Sequence, residues 1–211
     1  MEQRTDEWFA KRAGKITGSR FSDVMNITKS GPGAARRALV ATLAIERLTG
    51  ECVETFQNGA MLRGIELEPD ARAAYEAHVG ELVEEVAFIQ HPELDYVGVS
   101  PDGLVGDEGM VELKCPANIA KHLDALLRGD HATEYRWQIL GQMWVAGRQW
   151  NDAASFDPRY PEGLKLAIKR VDRDEKAIAE LAEQCAIVND EANKALADLQ
   201  SRMPAPMSAA A

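Results

Sequence analysis

Three cysteines, Cys52, Cys115 and Cys185, are all that the 211-residue chain contains. Odd in number and widely spaced, they match neither a disulfide framework nor a zinc motif, and they cannot supply the four thiolates of an iron–sulfur cluster. An unbroken apolar run long enough to span a bilayer is also missing. Met1 leads into Glu2-Gln3-Arg4-Thr5-Asp6, without the apolar stretch of a secretory signal. A reduced, cytoplasmic chain with no membrane partner is expected. Positive charge is scarce as well: 24 Lys plus Arg stand against 34 Asp plus Glu, a net charge of −10. That balance argues against a nonspecific nucleic-acid coat, which is normally basic. It does not exclude a nuclease, because local fields and metal ions can supply positive potential at one site. Any DNA contact would then be confined to a patch or channel. No internal repeat is visible.

With 45% hydrophobic residues, the chain is long enough for one domain with a real core. Its organising stretch is Ser100-Pro-Asp-Gly-Leu, a short gap, then Met110-Val-Glu-Leu-Lys-Cys-Pro116. Pro101-Asp102-Gly103 is a turn signal, in which Pro presets φ and Gly is expected to supply a positive φ. Met110–Cys115 alternates apolar and polar residues and predicts a strand. Period-2 geometry puts Glu112 and Lys114 on one face, with Val111 and Leu113 on the other. A hairpin from Asp102 to Glu112 would bring two carboxylates and an ammonium together, a candidate site for a divalent metal with a lysine beside it. Mg²⁺ takes such oxygen donors, and a lysine there can orient or deprotonate a water or stabilise developing charge. The plainer reading is a surface hairpin with an exposed ion pair, worth about 0–1 kcal/mol.

Along the chain, Thr5–Arg12 predicts a short capped helix. Ile16–Phe21 predicts a second, capped by Thr17 or Ser19 and fading near Asn26, whose N-terminus with Arg12 nearby would suit an anion. Lys29–Gly33 reads as a flexible loop, Ala34–Leu48 as an alanine-rich helix ended by Gly50, and Asn58-Gly59 as a turn. Arg63–Tyr75 reads as a helix with Leu67, Ala71, Ala74 and Tyr75 buried. Within it Glu68 can face the metal site or pair with Arg72 at i+4. Leu82–Ile89 and Tyr96–Ser100 predict strands. A helix over Ile119–Leu127 carries Lys121 and a surface His122. A helix over Glu134–Ala146 aligns Tyr135, Gln138 and Gln142 on one polar face. Strands at Gln149–Phe156 and Leu164–Val171 precede a long helix from Asp172 to about Gln200, buried along Ile178, Leu181, Cys185, Val188 and Ala192. Residues 203–211 form a small-residue tail expected to be disordered, leaving 1–202 as one domain. The pattern describes an α/β fold with a central mixed sheet of about five strands flanked by helices.

These motifs together resemble the phage lambda exonuclease family, viral-type recombination nucleases built on the restriction-endonuclease-like PD-(D/E)XK core. The resemblance rests on Ser100-Pro-Asp-Gly-Leu104, Glu112-Leu-Lys-Cys-Pro116, Gly64-x-x-x-Glu68-x-Asp70-Ala71-Arg72 and Tyr135-x-x-Gln138. Further along, Asp157-Pro158-Arg159 and Arg173-Asp174-Glu175-Lys176 add to it. It implies a Mg²⁺-dependent exonuclease, with Mn²⁺ a possible substitute and two ions per site, that digests one strand of duplex DNA from the 5′ end. Asp102, Glu112 and the Leu113 carbonyl would bind metal, Lys114 would activate water, and Glu68 and Gln138 would complete the site. Arg12, Ser19 and Ser100 match the family's pocket for the 5′-terminal phosphate, while Lys121 matches its arginine only with a one-residue shift. Met61 or Leu62 would be an apolar wedge at the end base pair. The family also implies a homotrimeric ring around DNA, a single-strand-annealing recombinase as partner, and a phage or prophage gene expressed in a bacterial host.

Two other readings stay open. A restriction- or repair-type endonuclease would share the metal site but needs no pocket for a terminal phosphate. A DNA-binding module without catalysis would keep the fold, against which the intact Asp102, Glu112 and Lys114 count.

Overall fold

A computed structural model describes residues 3–53 and 59–203. In chain order its helices are α1 (Asp6–Arg12), α2 (Phe21–Val24), α3 (Ala34–Thr49), α4 (Gly59–Val79), α5 (Ile119–Arg128), α6 (Asp130–Glu134), α7 (Arg136–Ala146) and α8 (Glu175–Ser201). The strands are β1 (Ile16–Thr17), β2 (Ile27–Thr28), β3 (Gly31–Pro32), β4 (Val83–Glu84), β5 (Ile89–Gln90), β6 (Val97–Val99), β7 (Gly103–Val105), β8 (Gly109–Lys114), β9 (Trp150–Phe156) and β10 (Leu166–Asp172). The main sheet has the order β10-β9-β8-β7-β4. Its β8–β9 pair is parallel and its other pairs are antiparallel, so it is a mixed five-stranded sheet with β8 at the centre.

Central placement explains why β8 is buried almost throughout: both of its faces are covered. Val111 and Leu113 pack with Ala71 and Tyr75 of α4. Met110, on the opposite face, packs with Ile139, Leu140 and Met143 of α7 and Ile178 of α8. A smaller sheet, β1-β6-β5, packs its Ile16, Val97 and Val99 with α3 and the middle of α8. Thus α8 serves both cores, through Ala177 and Ile178 in one and Leu181, Cys185, Val188 and Ala192 in the other. The apolar stripe read from its sequence is buried at every position, and each large aliphatic residue there contributes about 1.5–3 kcal/mol.

The structure departs from the sequence pattern in several places. Leu82–Ile89 is not one strand: β4 pairs with β7 while β5 pairs with β6 in the other sheet. Glu84 and Glu85 interrupt the alternation, so the run has no single apolar face and crosses between sheets. Ile16–Asn26 opens as a strand paired with β6, then a 3₁₀ turn at Gly18–Arg20, before α2. Lys29–Gly33 is part of a β2–β3 hairpin, not a free loop. Glu134–Ala146 breaks at Tyr135, which separates α6 from α7. Gly103 has no positive φ. It lies in β7, where a Cβ would come within 1.9 Å of Val83 Cγ1, so close approach rather than turn geometry requires glycine. His122 is fully buried, bonded through Nδ1 to Ser155 Oγ and through Nε2 to the Leu164 carbonyl, each at 2.9 Å. Gly59 opens α4 rather than a turn, and Asn58 lies outside the described residues, as do residues 204–211 of the tail.

Candidate active site

The β7–β8 hairpin is the base of the site. Gly103 faces Val111 across the ladder, which leaves Asp102 at the start of one strand beside Glu112 and Leu113 on the next. Asp102 Oδ2 accepts the Leu113 backbone N–H at 2.7 Å. Glu112, 2% exposed, is gripped from several sides. Its Oε1 accepts from Lys114 Nζ and Gln138 Nε2, and its Oε2 accepts from Gln142 Nε2. Gln142 is itself fixed by Asn151, whose Nδ2 donates to Gln142 Oε1 at 2.8 Å. Glu112 and Lys114 therefore share a face, as the alternation requires, and the polar Tyr135/Gln138/Gln142 stripe meets it. The Tyr135 ring lies 4.5 Å from Lys114 Nζ.

Electrostatics couple these groups. Burial, reinforced by Glu112, holds the Asp102 carboxyl well above the usual range, while Lys114 and the Leu113 N–H pull it back. Burial disfavours the Lys114 ammonium, but Glu112 and Asp102 outweigh it and push its pKa upward. Cys115, next in sequence, is kept an inert thiol: burial, then Asp102 and Glu68, raise it to about 12.

A cleft of about 770 Å³ opens over the hairpin and is lined by Asp102, Lys114, Arg12, Ser19, Glu68 and Met61, with Tyr135, Leu113 and Lys121 also on its wall. Glu68 makes the expected i+4 pair with Arg72, at 3.3 Å, and a second with Arg4 at 2.8 Å. Leu62 is exposed but does not line the cleft, and Lys121 is paired with Glu134. Among the described residues no three His, Cys, Asp or Glu side chains converge as a ready-made metal cluster. The donor set still fits a hard divalent cation: two neighbouring carboxylates, one half-buried and one fully buried, face a single ammonium, and backbone and water oxygens would complete a shell.

Across the cleft, Arg12 stacks 4.0 Å over Trp8 and donates to Ser100 Oγ and Thr17 Oγ1, each at 3.2 Å. Trp8 Nε1 also donates to Ser100 Oγ, at 2.9 Å. These hydrogen-bond partners are neutral, and among the described residues Arg12 makes no salt bridge. Burial, with Arg20 adding, lowers its pKa to about 10, which leaves it a cation at neutral pH. Thr17 makes no cap hydrogen bond, so its hydroxyl serves Arg12 instead. Ser19 stands exposed on the same wall.

Two further residues escaped the sequence reading of the site. Glu46, fully buried, accepts from Gly14 N at 2.9 Å, Val53 N at 3.1 Å and both Arg20 Nη atoms. It ties the loop after Arg12 to α3. Its signal was an acid on the stripe of Leu39 and Leu43, at i+7 and i+3. Gln142, which the sequence places on the polar face of its helix, holds Glu112 as Gln138 does.

Residues 7–149 match the profile of a family described as the YqaJ-like viral recombinase domain. The fold superposes on the crystal structure of an alkaline exonuclease (LHK-Exo) from Laribacter hongkongensis with a TM-score of 0.85, 42% identity and coverage of 94% of this chain and 97% of that one. The same protein in complex with dAMP gives a TM-score of 0.86 at the same identity and coverage. A phage-related exonuclease from Haemophilus somnus 129PT shares the fold at a TM-score of 0.74 and 14% identity, with 88% and 96% covered. No curated protein sequence matches significantly.

Proposed function

The chain belongs to the YqaJ-like viral recombinase domain family, the lambda-exonuclease-like group that its motifs resemble, and on that premise we propose a specific activity. The protein is a metal-dependent exonuclease that degrades one strand of linear duplex DNA from a 5′-phosphorylated end, leaving 3′ overhangs for annealing-based recombination. The observation that carries this reading is Arg12. Among the described residues its hydrogen-bond partners are neutral, it shares one cleft with Asp102 and Lys114, and an enzyme that cuts within a strand has no need of a terminal-phosphate site. The relative solved with dAMP supports it too, since a mononucleotide is what an exonuclease releases.

In this reading Asp102, Glu112 and the Leu113 carbonyl would hold Mg²⁺ or Mn²⁺, Glu68 would serve a second ion, and the bound metal would supply Lewis acidity for displacement at phosphorus. Gln138 and Gln142 fix the Glu112 carboxylate so that its oxygens do not rotate away. Lys114 orients the attacking water and stabilises charge as the phosphodiester opens. Tyr135 packs against the Lys114 ammonium and limits its swing. Arg12, Ser19 and Ser100 take the 5′-phosphate, Lys121 lies along the strand, and Met61 or Leu62 meets the end base pair. A homotrimeric ring would confine DNA to a basic channel, consistent with a net charge of −10, and a single-strand-annealing recombinase would receive the product. The site of action is the cytoplasm of a bacterial host.

The test is end-labelled linear duplex, with and without a 5′-phosphate, beside a closed circle, all with Mg²⁺. Release of the 5′ label, faster on phosphorylated ends, with the circle intact, is expected. Cutting of the circle would move the protein to the endonucleases. DNA binding without any cleavage would leave a non-catalytic module.

A further inference from the structure

The segment before α1 crosses the catalytic acids, and its backbone is held there in an unfavourable shape. Arg4 has φ +68, which makes it the non-glycine residue in the left-handed region among the described residues. For an L side chain that conformation costs about 1 kcal/mol or more, and it persists only where surrounding contacts impose it. The contacts are on both sides. Gln3 Nε2 donates to the carbonyls of Val86, at 3.0 Å, and Pro101, at 3.1 Å, the latter immediately before Asp102. Thr5 caps α1, the helix that ends in Arg12. Between these anchors the Arg4 guanidinium reaches Glu68 Oε2 at 2.8 Å, while Arg72 holds Oε1 at 3.3 Å.

Both oxygens of Glu68 are thus occupied by cations. Arg72 is also paired with Glu85. Arg4 is different: it is about two-fifths exposed and lines both the active cleft and the adjoining 430 Å³ pocket beside Asp102. A guanidinium on a carboxylate and a divalent cation on the same carboxylate exclude one another by charge and by lone-pair occupancy. An arginine displaced into a cleft that admits a phosphodiester finds an equally suitable anion there.

We propose that Arg4 is a substrate-phosphate ligand parked on Glu68, from which a divalent cation releases it. The inference rests on the metal-dependent reading of the site. Cation binding and DNA binding are then linked through one side chain: occupancy of Glu68 by metal frees the guanidinium to take a phosphate. Without metal, Arg4 neutralises an acid that would otherwise repel DNA.

The experiment uses Arg4→Gly, which removes the guanidinium and tolerates the positive φ, so that the strap keeps its path. Arg4→Lys keeps a cation. Mn²⁺ binding without DNA is followed by the electron paramagnetic resonance signal of free Mn²⁺. Binding of a 5′-phosphorylated duplex is followed by fluorescence anisotropy in Ca²⁺. For Arg4→Gly we expect Mn²⁺ to bind about two- to fivefold tighter, the scale of a partly exposed ion pair, and the duplex to bind more weakly. Arg4→Lys should lie nearer wild type in both. Opposite signs are the signature, because general loosening of the site would weaken both. Any other pairing of the two results overturns the role of Arg4. Asp102→Asn separates the two readings: if it binds Mn²⁺ as wild type does, or if wild type binds none, the metal site itself falls and this proposal with it.

Discussion

Leu113 donates its backbone N–H to Asp102 Oδ2 across 2.7 Å, joining the first acid of the site to the strand that carries Glu112 and Lys114. The bond uses main chain on one side, so the distance between the two acids depends on the hairpin register rather than on a flexible rotamer. Gln138 and Gln142 then fix Glu112 from α7. A candidate site built this way is held by a central strand and one helix, the rigid support that precise positioning of reacting groups requires.

Arg12→Ala should erase most of the proposed preference for phosphorylated ends. A hydrogen bond to a charged group contributes about 1.5–3 kcal/mol, so the ratio of initial rates on 5′-phosphorylated and 5′-hydroxyl duplex should fall by about ten- to a hundredfold. An unchanged ratio would remove Arg12 from the phosphate pocket.

Glu46→Gln should cost stability and, through the loop it braces, the same preference. Breaking a buried charge pair typically costs about 3–5 kcal/mol, and the partial exposure of Arg20 puts this one at the lower end. Urea unfolding reads the first effect and the rate ratio the second. A loss below about 1 kcal/mol would mean that Arg20 finds water or another partner instead.

His131 gives the fold a defined weakness in acid. It is buried, donates Nε2–H to the Ala153 carbonyl at 2.8 Å, and its Nδ1 has no hydrogen-bond partner among the described residues. Burial, reinforced by His122, lowers its pKa from 6.5 although the Ala153 bond opposes this. With the folded value depressed, the unfolded chain takes up a proton that the folded chain refuses. The contribution is therefore complete above about pH 6.5 and is lost as pH falls below it, at no more than about 1.4 kcal/mol per unit. Urea unfolding of His131→Gln should show a shallower decline than wild type through that window. Parallel declines would assign the acid sensitivity to other groups.

Local periodicity carried much of this fold. β8 and α8 were legible because Met110–Lys114 alternates and because Ile178, Leu181, Cys185, Val188 and Ala192 recur at helical spacing. Asp102, Glu112 and Lys114 followed from one hairpin, a short-range inference. What stayed hidden depends on distant segments meeting. Glu46 reaches Gly14 and Arg20 from another helix, Gln3 and Arg4 cross to Pro101 and Glu68, and His122 is buried by contacts to Ser155 and Leu164. Gly103 looked like a turn glycine because its neighbour is Pro-Asp. Its actual requirement is the Val83 side chain on the neighbouring strand, which no local pattern announces.

The most direct test of the proposed catalytic centre is single-turnover cleavage of a 5′-phosphorylated duplex by Lys114→Met, with DNA binding measured in Ca²⁺. The account predicts cleavage slowed by about 10²- to 10⁴-fold, the scale of a lost proton-handling or charge-stabilising group, while binding is retained. Cleavage within about tenfold of wild type would contradict it, because the ammonium beside Glu112 would then be a structural ion pair and the chemistry would lie elsewhere.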